Sequence, residues 1–307
     1  MSLDPSTVGE SAAVITSCLW TVSSLFFTSA GKRIGSLSVN AYRTVMAVGF
    51  LVIAHLILLG TILPAANGAQ WFWMGLSGVV GLAIGDGGLF AAYVTIGPRR
   101  SVLVMALAPI FASLGAYLML GEVVPELGIV WIAVTLAGVV VVILEEEEGT
   151  GEAPVSKRLK RYGILFALVG AIGQGIGLVL SKKGIDLVQG ATLNPLSATL
   201  MRLIWGAVSV WVVLLLARRL PELQQAIKHK EGISHTAAGA FIGPFLGVTL
   251  SMVAVTYSQA GIAQTLMSLM PVLIIPTLWI RYRQRTSWRG ILGAGIAVIG
   301  VAILFLV

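Results

Sequence analysis

Long apolar stretches alternate along the chain with short polar intervals, and their lengths predict ten helices of the roughly 20 residues that a hydrocarbon core requires. The first half gives spans over Ala12–Ala30, Ser38–Leu59, Trp71–Val94, Ser101–Leu120 and Glu126–Leu144. The second half gives Tyr162–Ser181, Leu196–Ala217, Thr236–Tyr257, Gly261–Ile280 and Trp288–Val307. Between them, residues 145–161 run from an acidic block (Glu145–Glu148) into a basic one (Lys157, Arg158, Lys160, Arg161), the pattern of a charged, solvated linker ending in a headgroup anchor. The expected organisation is therefore a repeat over 1–144, a cytoplasmic linker, and a repeat over 162–307.

The second half repeats the first. Pro109, Gly128 and Gly138 recur as Pro271, Gly290 and Gly300, each 162 positions later, and Gly81 and Gly85 recur in the same register as Gly243 and Gly247. A unit with an odd number of spans, once duplicated, enters the bilayer in opposite orientations, the arrangement many transporters use for alternating access. The expected fold is all-α and integral to the membrane, with ten transmembrane helices forming two inverted five-helix repeats.

Composition excludes a water-soluble domain. The chain is 57% hydrophobic and 11% charged, with mean hydropathy +0.95, against roughly 45–50% and about 25% for soluble domains. No basic segment precedes the first apolar stretch and no small-residue cleavage pattern follows it, so it reads as a span and not a removed signal peptide. The net charge of +7 does not point to nucleic acid, because the basic residues lie in short loops between spans. Loops after the odd-numbered spans hold sixteen Lys and Arg, and the opposite side holds only Lys182 and Lys183. The positive-inside rule then places the odd-numbered loops in the cytoplasm and both termini outside a multi-pass protein of the cell membrane. The single cysteine, Cys18, excludes an intrachain disulfide and a cysteine metal cluster. No metal or cofactor is implied, and no nucleophile, zinc or phosphate-loop motif marks an enzyme.

The informative residues are polar ones at membrane depth, where burial is expensive. Asp86, in Gly85-Asp86-Gly87-Gly88, lies about 22 Å along the third span at 1.5 Å per residue. It is a candidate proton carrier, a counter-ion for a substrate amine, or a structural partner of an arginine. Arg43 of the second span is its expected partner, with Arg100 second; the repeat counterpart of Arg43 is Arg202 of the seventh. Both Arg43 and Arg202 lie within two turns of a span start, near enough to snorkel to the interface. The first span carries Ser17, Thr21, Ser24 and Thr28 at steps of four, three and four, flanked by Trp20. Gln174 in the sixth span, Thr249 and Thr256 in the eighth, and Gln264 with Ser268 in the ninth give comparable polar faces. Interhelical hydrogen bonds are the plainer role for the serines and threonines. Trp20, Gln174 and Gln264 are the better cavity candidates. Glycine stripes in the third, sixth and eighth spans predict close helix packing, with Gly85 and Gly247 as repeat-related members. Pro109 and Pro271 predict two repeat-related kinks, hinges or static bends.

Leu107-Ala108-Pro109, then Leu120-Gly121-Glu122, Gly128 and Ala137-Gly138-Val139, resemble the EamA-like unit of the drug/metabolite transporter superfamily. Gly85-Asp86 followed by Ile96-Gly97-Pro98-Arg99-Arg100-Ser101 does so too, and the second half matches more loosely through Ser268-Leu269-Met270-Pro271-Val272, Gly290 and Gly300. The resemblance covers nearly the whole chain. It implies a ten-helix carrier whose central cavity is lined by spans one, three, four, six, eight and nine, with Trp20 on that cavity. Relatives move amino acids, metabolites, nucleotide sugars or drugs, many by efflux. Two departures stand out: Glu122 of the first unit has Gln284 in its place in the second, and the charge bias sets both termini outside where ten-helix relatives are commonly drawn with both inside. The expectation is a secondary exporter of a small polar metabolite, amino-acid-like, with proton coupling through Asp86 and with membrane lipid around it. A monomer suffices, since duplication supplies both halves. The rival class is a non-transporting membrane protein that handles lipid or acts as a scaffold.

Overall fold

The computed structural model describes residues 4–144, 157–186, 193–270, 272–273 and 288–304, and every regular element among them is helical. The first half comprises α1 (Pro5–Ile34), α2 (Ser36–Leu59), α3 (Gly68–Ser77), a π-helical stretch π1 (Gly78–Gly85), α4 (Asp86–Met105), α5 (Ala108–Leu120) and α6 (Glu126–Leu144). The second half comprises α7 (Lys157–Asp186), α8 (Pro195–Leu216), a short α9 (Leu220–Ala226), α10 (Lys230–Ala240), π2 (Phe241–Gly247), α11 (Val248–Tyr257), α12 (Ala260–Met267) and α13 (Trp288–Leu304). Six helical runs are long and apolar enough to cross a membrane: Pro5–Ile34, Ser36–Leu59, Gly68–Ala92, Arg161–Asp186, Pro195–Leu216 and Lys230–Tyr257. Ala108–Leu120, Glu126–Val141 and Trp288–Gly300 are shorter apolar helices. Large apolar side chains such as Ile57, Leu118 and Leu216 stand exposed on the outside of the bundle, as a lipid solvent allows.

Several boundaries differ from the expected ones. Helical backbone continues from Asp86 through 97–100 to Met105, where a loop was expected between the third and fourth spans. A helical connection satisfies its own backbone donors and acceptors, which a bare loop beside lipid does not. The expected linker lies outside the described residues up to 156, and its basic end is the first turn of α7. Pro109 coincides with a break in the span expected over Ser101–Leu120. It stands in the first turn of α5, where its missing N–H removes no helical bond, and the break falls just before it, at Ala106–Leu107. Pro271 lies outside the described residues, as does Gln284.

The duplication is also written in the backbone. π1 at 78–85 shifts by 162 onto 240–247, and π2 occupies 241–247. The tight turn that closes the break in the first half donates from Leu107 N to Val104 O and from Ile110 N to Leu107 O, both at 3.0 Å. The same shift lands on Leu269 N to Leu266 O at 3.3 Å and Val272 N to Leu269 O at 2.9 Å. Each half thus widens its third span and pinches its fourth at equivalent positions.

Packing crosses between the halves. α7 lies along α3, π1, α4 and α5, while α1 lies along α10, π2, α11 and α12. Where glycines face glycines the backbones touch: a Cβ on Gly173 would sit 2.6 Å from Gly85 Cα, and one on Gly177 would sit 2.8 Å from Gly81 Cα. In the other crossing, larger groups fill the glycine stripe, with Phe27 against Gly239, Ser23 against Gly243 and Trp20 against Gly247. α6 and α13 form a third seam. There a Cβ on Gly138 would meet Ala297 Cα at 2.9 Å, and one on Gly300 would meet Thr135 Cα at 3.1 Å. Shifting either pair by 162 residues produces the other, so the contact is two-fold in character.

Candidate functional site

Asp86 opens α4 directly after π1, and its side chain is buried with partners on α2 and α7. Arg43 of α2 forms an ion pair with Oδ2. Gln174 of α7 donates from Nε2 to Oδ1 at 2.6 Å, and the same nitrogen lies 3.4 Å from the Gly81 carbonyl. Arg43 is itself held: its Nε donates to Asn40 Oδ1 at 2.9 Å, and its guanidinium lies 5.5 Å from the Phe27 ring centroid and 5.2 Å from that of Phe90. Aromatic faces of this kind stabilise a partly desolvated cation. Three residues singled out from sequence therefore meet in one cluster that joins both halves of the chain.

A cavity of about 410 Å³ opens beside this cluster, between the start of α2 and the body of α4. Ser36, Leu37 and Asn40 line one wall, and Gly87, Phe90, Ala91 and Thr95 the other. Asn40 links cavity to ion pair, because it lines the first and accepts from the second. Asn40 and the two phenylalanines carry no signal in the sequence beyond being polar or aromatic within apolar helices.

Arg202 enters the same region from α8. Snorkelling would leave it exposed, but it is 3% exposed and points into the protein. Its Nη1 donates to Ser181 Oγ at 3.1 Å, and Ser181 and Ser77 share a hydrogen bond at 2.6 Å. Ser77 also donates to the Gly177 carbonyl at 2.6 Å. Gln174, Gly177 and Ser181 follow one another at helical spacing, so one face of α7 carries the network from Asp86 to Arg202.

The predicted polar ribbon of α1 behaves otherwise. Ser17, Thr21, Ser24 and Thr28 each donate to a carbonyl three or four residues back in their own helix, at 2.7–2.8 Å. The hydroxyls that reach across are Thr16, 3.4 Å from Gly247 O, and Ser23, 3.0 Å from Gly239 O. Of the expected ribbon, Ser17 and Thr21 are buried in the protein, Ser24 is half-buried and Thr28 is exposed, so the set faces inward over its first half while its hydroxyls bond along their own helix. Thr249, Thr256 and Ser268 also bond within their own chain segment and not between helices. Trp20 is half-buried, with its indole against Gly247 of π2. Gln264 is buried in α12, and neither it nor Ser268 bonds to the Asp86 cluster.

A second charged group lies at the C-terminal end of α7. Lys182 pairs with Glu122 at 2.5 Å and donates to the Ser258 carbonyl at 2.6 Å. The other Glu122 oxygen accepts from Ala260 N at 2.9 Å, which opens α12. Gly121, with φ +69°, turns the chain out of α5 so that Glu122 can reach these partners. One ion pair thus ties the α5–α6 turn, α7 and the α11–α12 turn together, and both its side chains are mostly buried, at 12% and 15% exposure. Removing one member leaves the other charge without its partner, so Glu122→Ala should lower stability by about 2–4 kcal/mol. The double variant Glu122→Leu with Lys182→Met should lose less. Thermal melts of the purified single and double variants read the difference, and a larger loss in the double variant than in Glu122→Ala would show that the charges act independently.

His55 is accounted for by structure: its ring nitrogens lie 2.6 Å from Thr61 O and 3.0 Å from Ser197 Oγ. Among the described residues no group of three or more His, Cys, Asp or Glu is placed to hold a metal ion.

The EamA-like transporter family model matches residues 7–144 and 161–306. Among solved structures, one described only as "Crystal structure of protein" superposes with a TM-score of 0.73 at 18% identity, covering 98% of this chain and 97% of its own. At that identity the likeness concerns the fold alone. No curated protein matches the sequence.

Proposed function

The chain belongs to the EamA-like transporter family, and from that membership we propose that this multi-pass membrane protein is a secondary transporter that exports a small polar, amino-acid-like metabolite by alternating access. The observation that carries the reading is the buried Asp86–Arg43–Gln174 cluster, assembled from both halves beside a cavity. Charge at that depth is costly in a protein with no use for it.

In the proposed architecture ten spans form two inverted repeats. Contact order supports the inversion. Along α7, Gly163, Gly170, Gly177 and Gly184 meet Ile96, Leu89, Gly81 and Met74 in turn, so α7 runs antiparallel to the third span. Along α1, Gly9, Trp20, Ser23 and Phe27 meet Ser258, Gly247, Gly243 and Gly239, again antiparallel. With the odd-numbered loops cytoplasmic and both termini outside, the cavity beside Asn40 faces the cytoplasm, where cargo for export would load. Asp86 is the candidate for proton coupling, and Trp20 and Gln264 are candidates for cargo contact away from the charged cluster.

A thermal-shift screen of the purified protein against amino acids, nucleosides, sugar phosphates, polyamines and cationic drugs should give a concentration-dependent rise for one class. A ligand at about 100 times its dissociation constant adds about 2.7 kcal/mol to the folded state. Liposome flux of the compound that scores should then fall in Trp20→Ala. Silence for every class, with the protein folded, together with no flux, would move the weight to lipid handling.

A further inference from the structure

Each of the two crossings makes a bundle from both halves, α7 with α3, π1, α4 and α5, and α1 with α10, π2, α11 and α12. The bundles stand apart at one end and are shut at the other. At the first end the cavity of about 410 Å³ separates α2 from α4. Among the described residues α4 is not packed on α1 or α10 there. The Arg43 guanidinium stands instead between the rings of Phe90 on α4 and Phe27 on α1.

Thr95, on the cavity wall, lies against Gly163 of α7. From Gly163 to Lys182 the helix rises about 28 Å at 1.5 Å per residue, which reaches the opposite end of the bundles. There the α11–α12 turn of the second bundle is gripped by residues of the first. Lys182 donates to Ser258 O at 2.6 Å, Glu122 Oε2 accepts from Ala260 N at 2.9 Å, and Gln259 Nε2 donates to Val123 O at 3.3 Å. The Glu122–Lys182 pair, at 2.5 Å, holds the two gripping residues together. Gly261 closes against Ser113 of α5, where a Cβ would find no room.

These contacts are polar and lie at helix ends. Parting the bundles at this rim exposes both charges to water together, so neither is left buried and alone. The α7–π1 crossing is of the other kind, glycine backbone on glycine backbone inside one bundle, where separation would open a void. The bundles are thus built to hold, and the rim between them to part.

We propose that Glu122 and Lys182 are the outer gate of the carrier, closed in this structure on the Ser258–Gly261 turn, with the cavity beside Asn40 as the open inner vestibule. This rests on the transporter reading and on its orientation, with the odd-numbered loops in the cytoplasm. In alternating access one bundle rocks against the other about a fixed site. Opening outward therefore breaks the three bonds to the turn and narrows the cavity between α2 and α4. The second unit has Gln284 where the first has Glu122, so it does not supply the same carboxylate at the inner end. The pair biases the resting population towards a closed outer rim.

The test uses the full chain reconstituted in liposomes, with Cys18→Ser so that no native thiol reacts. Ala260→Cys, at a position 0% exposed on the closed turn, reports opening by its rate of reaction with a membrane-impermeant maleimide. Glu122→Gln keeps an acceptor for Ala260 N but loses the ion pair, and should raise that rate about tenfold by raising the open population. Ala47→Cys, at a position 0% exposed in the cluster of α2 and α8, should stay unlabelled in both. An unchanged rate at Ala260→Cys, or an equal rise at Ala47→Cys, would make the pair a structural tie and overturn the gate. Val123→Cys with Gln259→Cys, joined by a cleavable thiol cross-linker, should stop release of a mixture of radiolabelled L-amino acids, and cleavage should restore it. Release that continues across the cross-link would also overturn the gate. If the parent releases none of the mixture while labelling at Ala260→Cys rises as expected in Glu122→Gln, the moving rim stands and the amino-acid carrier reading falls.

Discussion

Asp86→Ala should destabilise the protein by about 3–5 kcal/mol, the loss expected when one member of a buried ion pair is removed and the other stays behind. Arg43 and Asp86 are 12% and 11% exposed at the side chain, so little solvent is available to take over. The variant also strands the Gln174 amide that donates to Oδ1 at 2.6 Å. Replacing both charges, Arg43→Leu with Asp86→Leu, should recover much of the loss, because the cost is that of an unmatched charge and not of the pair as such. Melting curves of the single and double variants decide it; a single variant that melts like the parent would mean the pair is not buried in the working protein. Asp86→Asn serves a different purpose. It keeps shape and one hydrogen-bond acceptor but cannot release a proton, so flux that drops in pH dependence would support coupling at this residue, and flux with unchanged pH dependence would remove it.

Gly173→Val should also destabilise the protein, by a mechanism without charge. The nearest atom to a Cβ at 173 is the Gly85 Cα at 2.6 Å, followed by the Val80 carbonyl at 2.8 Å. Both are backbone, so no side chain can turn aside, and α7 would have to move off π1. Overpacking a tight contact typically costs about 1–3 kcal/mol, and here the shift also disturbs Gln174, the next residue. Gly87→Ala is the control, since nothing lies within 4 Å of its Cβ. Size-exclusion profiles after mild heating should show Gly173→Val lost and Gly87→Ala retained. If both survive equally, the α7–π1 crossing is looser than the backbone contact indicates.

The sequence carried the six long helical runs because those apolar stretches are long and some of their ends are marked. The capping box at Asn67 and Gln70, with bonds of 2.8 and 3.1 Å, and the cap of Asn194 on Leu196 N at 2.9 Å fix two starts. The halves were legible because glycine recurs in register where backbone must approach backbone. What was not legible is which hydroxyls reach across to another helix. The ribbon of α1 was assigned from its period, yet in an all-apolar helix a serine bonded to its own carbonyl and one bonded across look alike in sequence, and Ser23 was passed over for Ser24. Depth was also hidden. Arg202 near a span start reads as a snorkelling residue until its neighbours Gly78 and Gly81 are known to let it stay inside. The pairing of Arg43 with Asp86 was legible because two opposite charges in the same half of the bilayer have few other partners.

The α6–α13 seam has a consequence for how the chain can change. Thr135, Gly138, Ala297 and Gly300 meet in two equivalent contacts, each leaving no room for a larger side chain. The face is its own complement, so enlarging one member of a contact demands shrinkage of a residue about 160 positions away. Elsewhere the two copies are free to drift apart, as Glu122 and Gln284 have done. Along this line each contact ties one copy to the other, Gly138 to Ala297 and Gly300 to Thr135, so the room a residue can take in one half is set by its neighbour in the other.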